Sequence, residues 1–170
     1  MDVEKAIKTA IEYETRVRDV YNEAMEKSKS DQGKKIYRQL AKEEQGHLDY
    51  LNHRLNEWQK TGKVTPEKLQ TTIPSKKTIE EGVGKLKSRL KEPDAHGEMQ
   101  MLTKALDVEI ATSNFYREMV NTLEGDAQIM FSRFMEIEEG HLALVQAEIN
   151  SLQGMGVWFD TIEFDLEGAG

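Results

Sequence analysis

Apolar residues recur every three or four positions along four long stretches of this chain, and each stripe is interrupted on its apolar side by an acid. From about residue 2 to 29 the stripe is Ile7, Ile11, Val17, Tyr21 and Met25, with Glu14 inside it. A period near 3.6 predicts an amphipathic helix. Ser28–Asp31 reads as a turn, with Asp31 as the N-cap of a second helix. There Tyr37, Leu40, Leu51, Leu55 and Trp58 enclose Glu44 and His47. A third helix, from about Ala95 to Asn121, sets Glu109 between Leu102/Leu106 and Tyr116/Val120. The fourth opens near Asp126, a second cap candidate, and aligns Met130, Phe134, Glu138, His141, Val145 and Leu152.

Residues 60–94 join the two helical pairs and carry Gly62, Pro66, Pro74 and Pro93. A short helix is predicted there from Thr78 to Leu90, with Ile79, Val83, Leu86 and Leu90 inward. A link of ~35 residues is far longer than the 2–8 usual between antiparallel neighbours, so it predicts a crossover along the bundle. The expected fold is all-α: an antiparallel four-helix bundle over residues 1–153, crossing over at 60–94 between helices 2 and 3. A short C-terminal tail, 154–170, carries Val157, Trp158, Phe159, Ile162, Phe164 and Leu166. Its apolar content predicts packing on the bundle or on a partner subunit.

The two halves repeat one chemistry. Glu14 with Tyr21, then Glu44 and His47, correspond to Glu109 with Tyr116, then Glu138 and His141, at an offset of about 95 residues. A single Glu-x-x-His on a helix is commonly a solvated pair. Here two such pairs and two lone acids all sit on inward faces. In antiparallel hairpins, residues equally far from the turn lie at equal height. All four acids fall ~21–24 Å from their turns at 1.5 Å per residue, within one helical turn of a common level. Each His follows its Glu by three and shares its face. Buried together, four carboxylates would repel one another; two divalent cations would cancel their charge. Carboxylate with imidazole suits iron or manganese, and zinc is also accommodated. Glu44 and Glu138 are the expected bridges, and Glu14 and Glu109 the terminal carboxylates. Tyr21 and Tyr116 are too far along their helices to touch their own acids, so each is expected to donate to a carboxylate of the opposite half. Glu43, Glu136 and Glu139 read as surface or flanking acids, Glu43 being placed to orient a ligand histidine. His53, His96 and the run Lys85, Lys87, Arg89, Lys91 read as solvent-facing.

Composition narrows the partners. The absence of cysteine removes disulfides, thiolate zinc sites and iron–sulfur centres. A net charge of −8 offers no basic stripe to phosphates, so no nucleic-acid partner is expected. No apolar run nears the ~18 residues of a membrane span and no signal-peptide core is present, so a cytoplasmic protein is expected.

On these ligand positions the chain resembles the ferritin-like di-iron carboxylate superfamily, and within it rubrerythrins and bacterioferritins. The ending Trp158–Asp165 is similar to tails of stand-alone rubrerythrin-like proteins without a rubredoxin domain. The resemblance implies two iron ions held by Glu14, Glu44, His47, Glu109, Glu138 and His141. It further implies an oxidoreductase reducing hydrogen peroxide or dioxygen in a homodimer, with an external rubredoxin-like protein as electron donor. The alternatives are a ferroxidase feeding iron storage and a metal-binding helical module without turnover. Two departures stand out: Thr112 occupies the place where many rubrerythrins carry a further Glu, and no Met follows Glu44 to ligate haem, so no haem is expected.

Overall fold

The computed structural model describes residues 2–83 and 93–159. It contains α1 (Val3–Lys27), α2 (Asp31–Thr61), α3 (Lys76–Val83), α4 (Ala95–Thr122) and α5 (Gly125–Met155). No strand occurs among the described residues, and no helix there is long and apolar enough to cross a membrane. The fold is an all-α, ferritin-like helical bundle. α1 pairs with α2 and α4 with α5; the hairpins meet along α1 and α4, and α3 lies on α5. Because Tyr21 faces Glu109 while Tyr116 faces Glu14, α1 and α4 run antiparallel.

Local signals differ from the sequence reading by a residue or a turn. Ser30, not Asp31, caps α2, its hydroxyl accepting from the Gly33 amide at 3.1 Å. Asp31 instead occupies the first turn, where its charge meets the positive end of the helix. Asp126 likewise lies inside the first turn of α5 rather than at its cap. Gly62 and Gly156 close α2 and α5 in the left-handed conformation, which a glycine adopts without Cβ strain. α3 begins at Lys76, two residues earlier than expected. Ile79 is buried as anticipated, whereas Leu86, Leu90, the lysine-rich run and the side chain of Val83 lie outside the described residues.

Two apolar clusters fill the bundle, one around Val17, Tyr37, Leu40, Leu102 and Val145, the other around Ile7, Leu51, Phe115, Met130 and Phe134. The polar residues of the repeat lie between them. The crossover is fastened to α2 and α5 by side chains. Arg54, only 2% exposed, donates to the Thr65 carbonyl at 2.9 Å. Tyr50 donates to the Glu67 carbonyl at 2.7 Å, and Arg133 donates to that of Pro66. At the far end, Val157, Trp158 and Phe159 are buried, Trp158 standing edge-on to Tyr37 and the Phe159 amide donating to Glu148 at 2.5 Å. The later tail residues Ile162, Phe164 and Leu166 lie outside the described residues.

Two helix-interior glycines related by the repeat differ in surroundings. A Cβ on Gly140 would lie 2.8 Å from the Pro74 carbonyl oxygen, whereas a Cβ on Gly46 would meet nothing within 4 Å. Glycine costs a helix interior ~0.5–1 kcal/mol relative to alanine. Gly46→Ala is therefore expected to stabilise the protein by up to about 1 kcal/mol, and Gly140→Ala to destabilise it, in urea unfolding midpoints. Equal effects at the two positions would contradict the packing described.

Candidate metal centre

All six donors of the repeat converge. Glu14, Glu44, His47 and Glu138 place one ligand atom each within 4.8 Å of one another, and so do Glu44, Glu109, Glu138 and His141. Glu44 and Glu138 belong to both groups. The two histidines present Nδ1 to the cluster: His47 lies 3.4 Å from Glu14, 3.3 Å from Glu44 and 3.6 Å from Glu138. His141 lies 2.8 Å from Glu44, 3.5 Å from Glu109 and 3.9 Å from Glu138. The rings stack with centroids 5.6 Å apart. None of the six is more than 1% exposed.

The terminal acids are held from across the bundle. Tyr21 donates to Glu109 Oε1 and Tyr116 to Glu14 Oε1, each at 2.6 Å. Burial and the adjacent carboxylates push both phenols well above the ordinary tyrosine value, so they remain donors. The second oxygens of Glu14 and Glu109, Oε2 of Glu44 and both oxygens of Glu138 have no hydrogen-bond partner. Buried polar atoms are ordinarily satisfied. Carboxylate oxygens and imidazole nitrogens facing one small volume are a donor set for divalent cations, and the buried Glu/His cluster fits a metal site.

Outside this cluster the halves diverge. Glu43 Oε1 lies 2.9 Å from His141 Nε2, the nitrogen turned away from the cluster. Its carboxylate also accepts from the Thr71 hydroxyl and from the Thr72 amide and hydroxyl, at 3.1 and 3.0 Å for the latter two. A carboxylate behind a ligand histidine fixes its ring and raises its basicity. The repeat puts Ile137 in the matching place. Nε2 of His47 accordingly has no partner and its ring meets the edge of Phe134 at 5.5 Å. Glu43 is thus a buried orienting acid, while Glu136, His53 and His96 are exposed and Glu139 half-buried, outside the cluster. Thr112 is buried and bonds the Val108 carbonyl of its own helix at 2.8 Å.

Sequence reasoning missed two further buried acids. Glu98 accepts from Ser28 and from the Lys29 amide, tying the α1–α2 turn to the start of α4. Glu148 holds the Phe159 amide. Both follow the inward period of their helices, three turns before Glu109 and two turns after His141, and that spacing was the available signal.

An open cleft of about 480 Å³ runs between α2 and residues 68–72 and reaches the cluster at His47 and Glu43. A second, of about 440 Å³, lies where α3 meets α4 and α5 and touches none of the six donors.

A bundle with these helices and this cage belongs to the class of ferritin-like carboxylate–histidine proteins. Residues 5–96, more than half of the chain, match the rubrerythrin family, and the chain belongs to it. That match takes in Glu14, Glu44 and His47; the second half enters through the internal repeat. No curated protein and no solved structure shows a significant match.

Without cations the cluster balances its charge with protons. Burial, then the other carboxylates, push Glu44 up to about 8 and Glu138 well above the carboxylate range. Burial opposes charge on His47 and His141, but the surrounding acids outweigh it and raise both well above the ordinary value. Glu14 is held at about 2, because Glu44 and His47 outweigh its desolvation. Groups with raised values bind protons more tightly folded than unfolded, so stability falls as pH rises through the gap. The melting temperature of chelator-treated protein is expected to fall from about pH 5 to about pH 8. A flat or rising profile across that window would refute this protonation pattern.

Proposed function

We propose that the chain is a di-iron oxidoreductase of rubrerythrin type that reduces hydrogen peroxide to water, drawing electrons from a separate donor protein. The observation that carries this reading is the sharing of Glu44 and Glu138 between two buried four-residue donor groups. Glu14 and His47 would complete one ion's ligands, and Glu109 and His141 the other's. Four carboxylates match the charge of two divalent ions, leaving a neutral cage in an apolar core. Two ferrous ions held side by side supply the two electrons that split the O–O bond of peroxide, which with two protons gives two waters.

The protein's own groups hold that cage in shape. Tyr21 and Tyr116 each fix one oxygen of a terminal carboxylate and leave the other without a hydrogen-bond partner. The apolar clusters above and below exclude bulk water. The cleft favours peroxide over ferrous ion as the molecule turned over. Lys42 and Lys68 flank it, and its one carboxylate, Glu43, is engaged by His141 and the crossover threonines. A route for cationic substrate would present free acids instead.

Loading is expected to release about four protons per chain, two from the imidazoliums and two from Glu44 and Glu138, so affinity for ferrous ion should rise with pH. Glu44→Ala and Glu138→Ala are each expected to lose both ions in metal analysis; retention of two by either variant contradicts bridging. Anaerobically loaded protein, mixed with peroxide or dioxygen in the presence of a reduced rubredoxin-type donor, should turn over peroxide at least about tenfold faster. Mineral uptake by a shell-like assembly would favour iron storage. Inertness towards both oxidants would end the enzyme reading.

A further inference from the structure

Positions 46 and 140 are equivalent in the repeat, each immediately before a cluster histidine, and the fold treats them in opposite ways. At 140 the Pro74 carbonyl lies where a side chain would begin, so the crossover backbone seals that flank. At 46 the space is empty. Packing therefore accounts for the glycine in α5 but not for the one in α2, where it weakens the interior of a 31-residue helix without structural return. What adjoins Gly46 is the cleft of about 480 Å³ whose floor includes Glu43 and His47 and whose outer wall is residues 68–72. That wall is tied to α2 at one end by the bonds of Thr71 and Thr72 to Glu43, and just before its other end by that of Tyr50 to the Glu67 carbonyl. The comparable hollow on the α5 flank, near Ile79 and Ala143, stops short of the donors.

We infer that small neutral or anionic molecules of peroxide size reach the centre from the α2 flank, over His47, and that Gly46 keeps this passage open. The inference rests on the metal-centre reading above and adds to it the side of approach and the residue that controls it. A larger side chain at 46 would project into the passage without meeting backbone. A Cβ at 46 meets nothing within 4 Å beyond its chain neighbours, so filling the position should obstruct traffic and leave the destination unchanged.

Azide, an anion of similar size to peroxide, binding to Co²⁺-loaded protein reports this directly, followed by stopped-flow absorption of the cobalt bands. Gly46→Phe is expected to slow both association and dissociation by about tenfold or more while the equilibrium constant stays within about twofold. Gly46→Ala, which leaves the passage wide, should match the parent. Gln70→Trp fills the cleft from its outer wall and should reproduce the slowing, so it carries the test if Gly46→Phe does not fold. Ala143→Phe, on the α5 flank, should change neither rate. Parent-like rates in the folded cleft-filling variants, or slowing by Ala143→Phe, would overturn the inference. A parent protein that takes up no Co²⁺ overturns the metal-centre reading itself and this inference with it, a result distinguishable before any variant is made.

Discussion

Charge balance in a dry interior is the constraint on which the rest of this molecule depends. Four glutamates, one from each long helix, lie fully buried between two apolar clusters. An unpaired charge there costs several kcal/mol, so the acids are tolerable only with protons or cations among them. The near-equal distances of Glu14, Glu44, Glu109 and Glu138 from their turns follow from that requirement, because acids at unequal heights could not share counter-charges. The antiparallel contact of α1 with α4 follows as well. It lets each tyrosine, two turns along from its own acid, reach the acid of the opposite half.

The repeat is kept where atoms face the centre and broken where they face away. Inward, the donors match residue for residue. Outward, Glu43 answers to Ile137 and an open Gly46 to a sealed Gly140. The crossover explains both differences. A chain joining two antiparallel hairpins can cover their shared centre from one side in one way only, so its segment 71–74 meets α2 and α5 unequally. Near α2 it turns threonines towards Glu43 and stands off from Gly46; near α5 its Pro74 carbonyl presses on Gly140. Two halves with identical buried Glu/His sets thereby acquire different surroundings.

How much of this was legible in the sequence follows from range. The helices, their inward acids and the crossed tyrosines were readable, because a 3.6-residue period and a hairpin's geometry are local rules applied over long segments. Ser30 displaced Asp31 as cap because both are good capping residues, and the choice turned on which hydroxyl or carboxyl met the Gly33 amide. Glu98 and Glu148 carried the right period but lacked a partner histidine, so nothing in the local pattern separated them from surface acids. Arg54 gave still less warning: its burial is created by the crossover folding back over α2, a long-range event. Glu43 stood between these cases. Its position beside Glu44 allowed it to face a histidine, and only the crossover threonines that desolvate and fix it decided the matter.

Thr112 sharpens what the proposed chemistry asks of this chain. Four carboxylates balance two divalent ions, but an ion pair that has surrendered two electrons carries two more positive charges. A further Glu on α4 would supply part of the balance, yet Thr112 is bound to the Val108 carbonyl and offers no charge. The nearest additional anion is Glu43, held ionised at about 2 because His141 and Thr71 outweigh its desolvation. It stands behind His141 rather than inside the cage, hydrogen-bonded to that imidazole and within 4.8 Å of a His47 nitrogen as well, so its charge is felt at both rings and its hydrogen bond at one. On the proposed reading the oxidised pair is therefore stabilised unevenly. His141 would help keep its ion in the higher charge state, whereas His47, backed by Phe134 and reached by the cleft, would lend its ion no such hydrogen-bonded support. On that reading, surroundings this unequal would give two bound ions unequal tendencies to lose an electron.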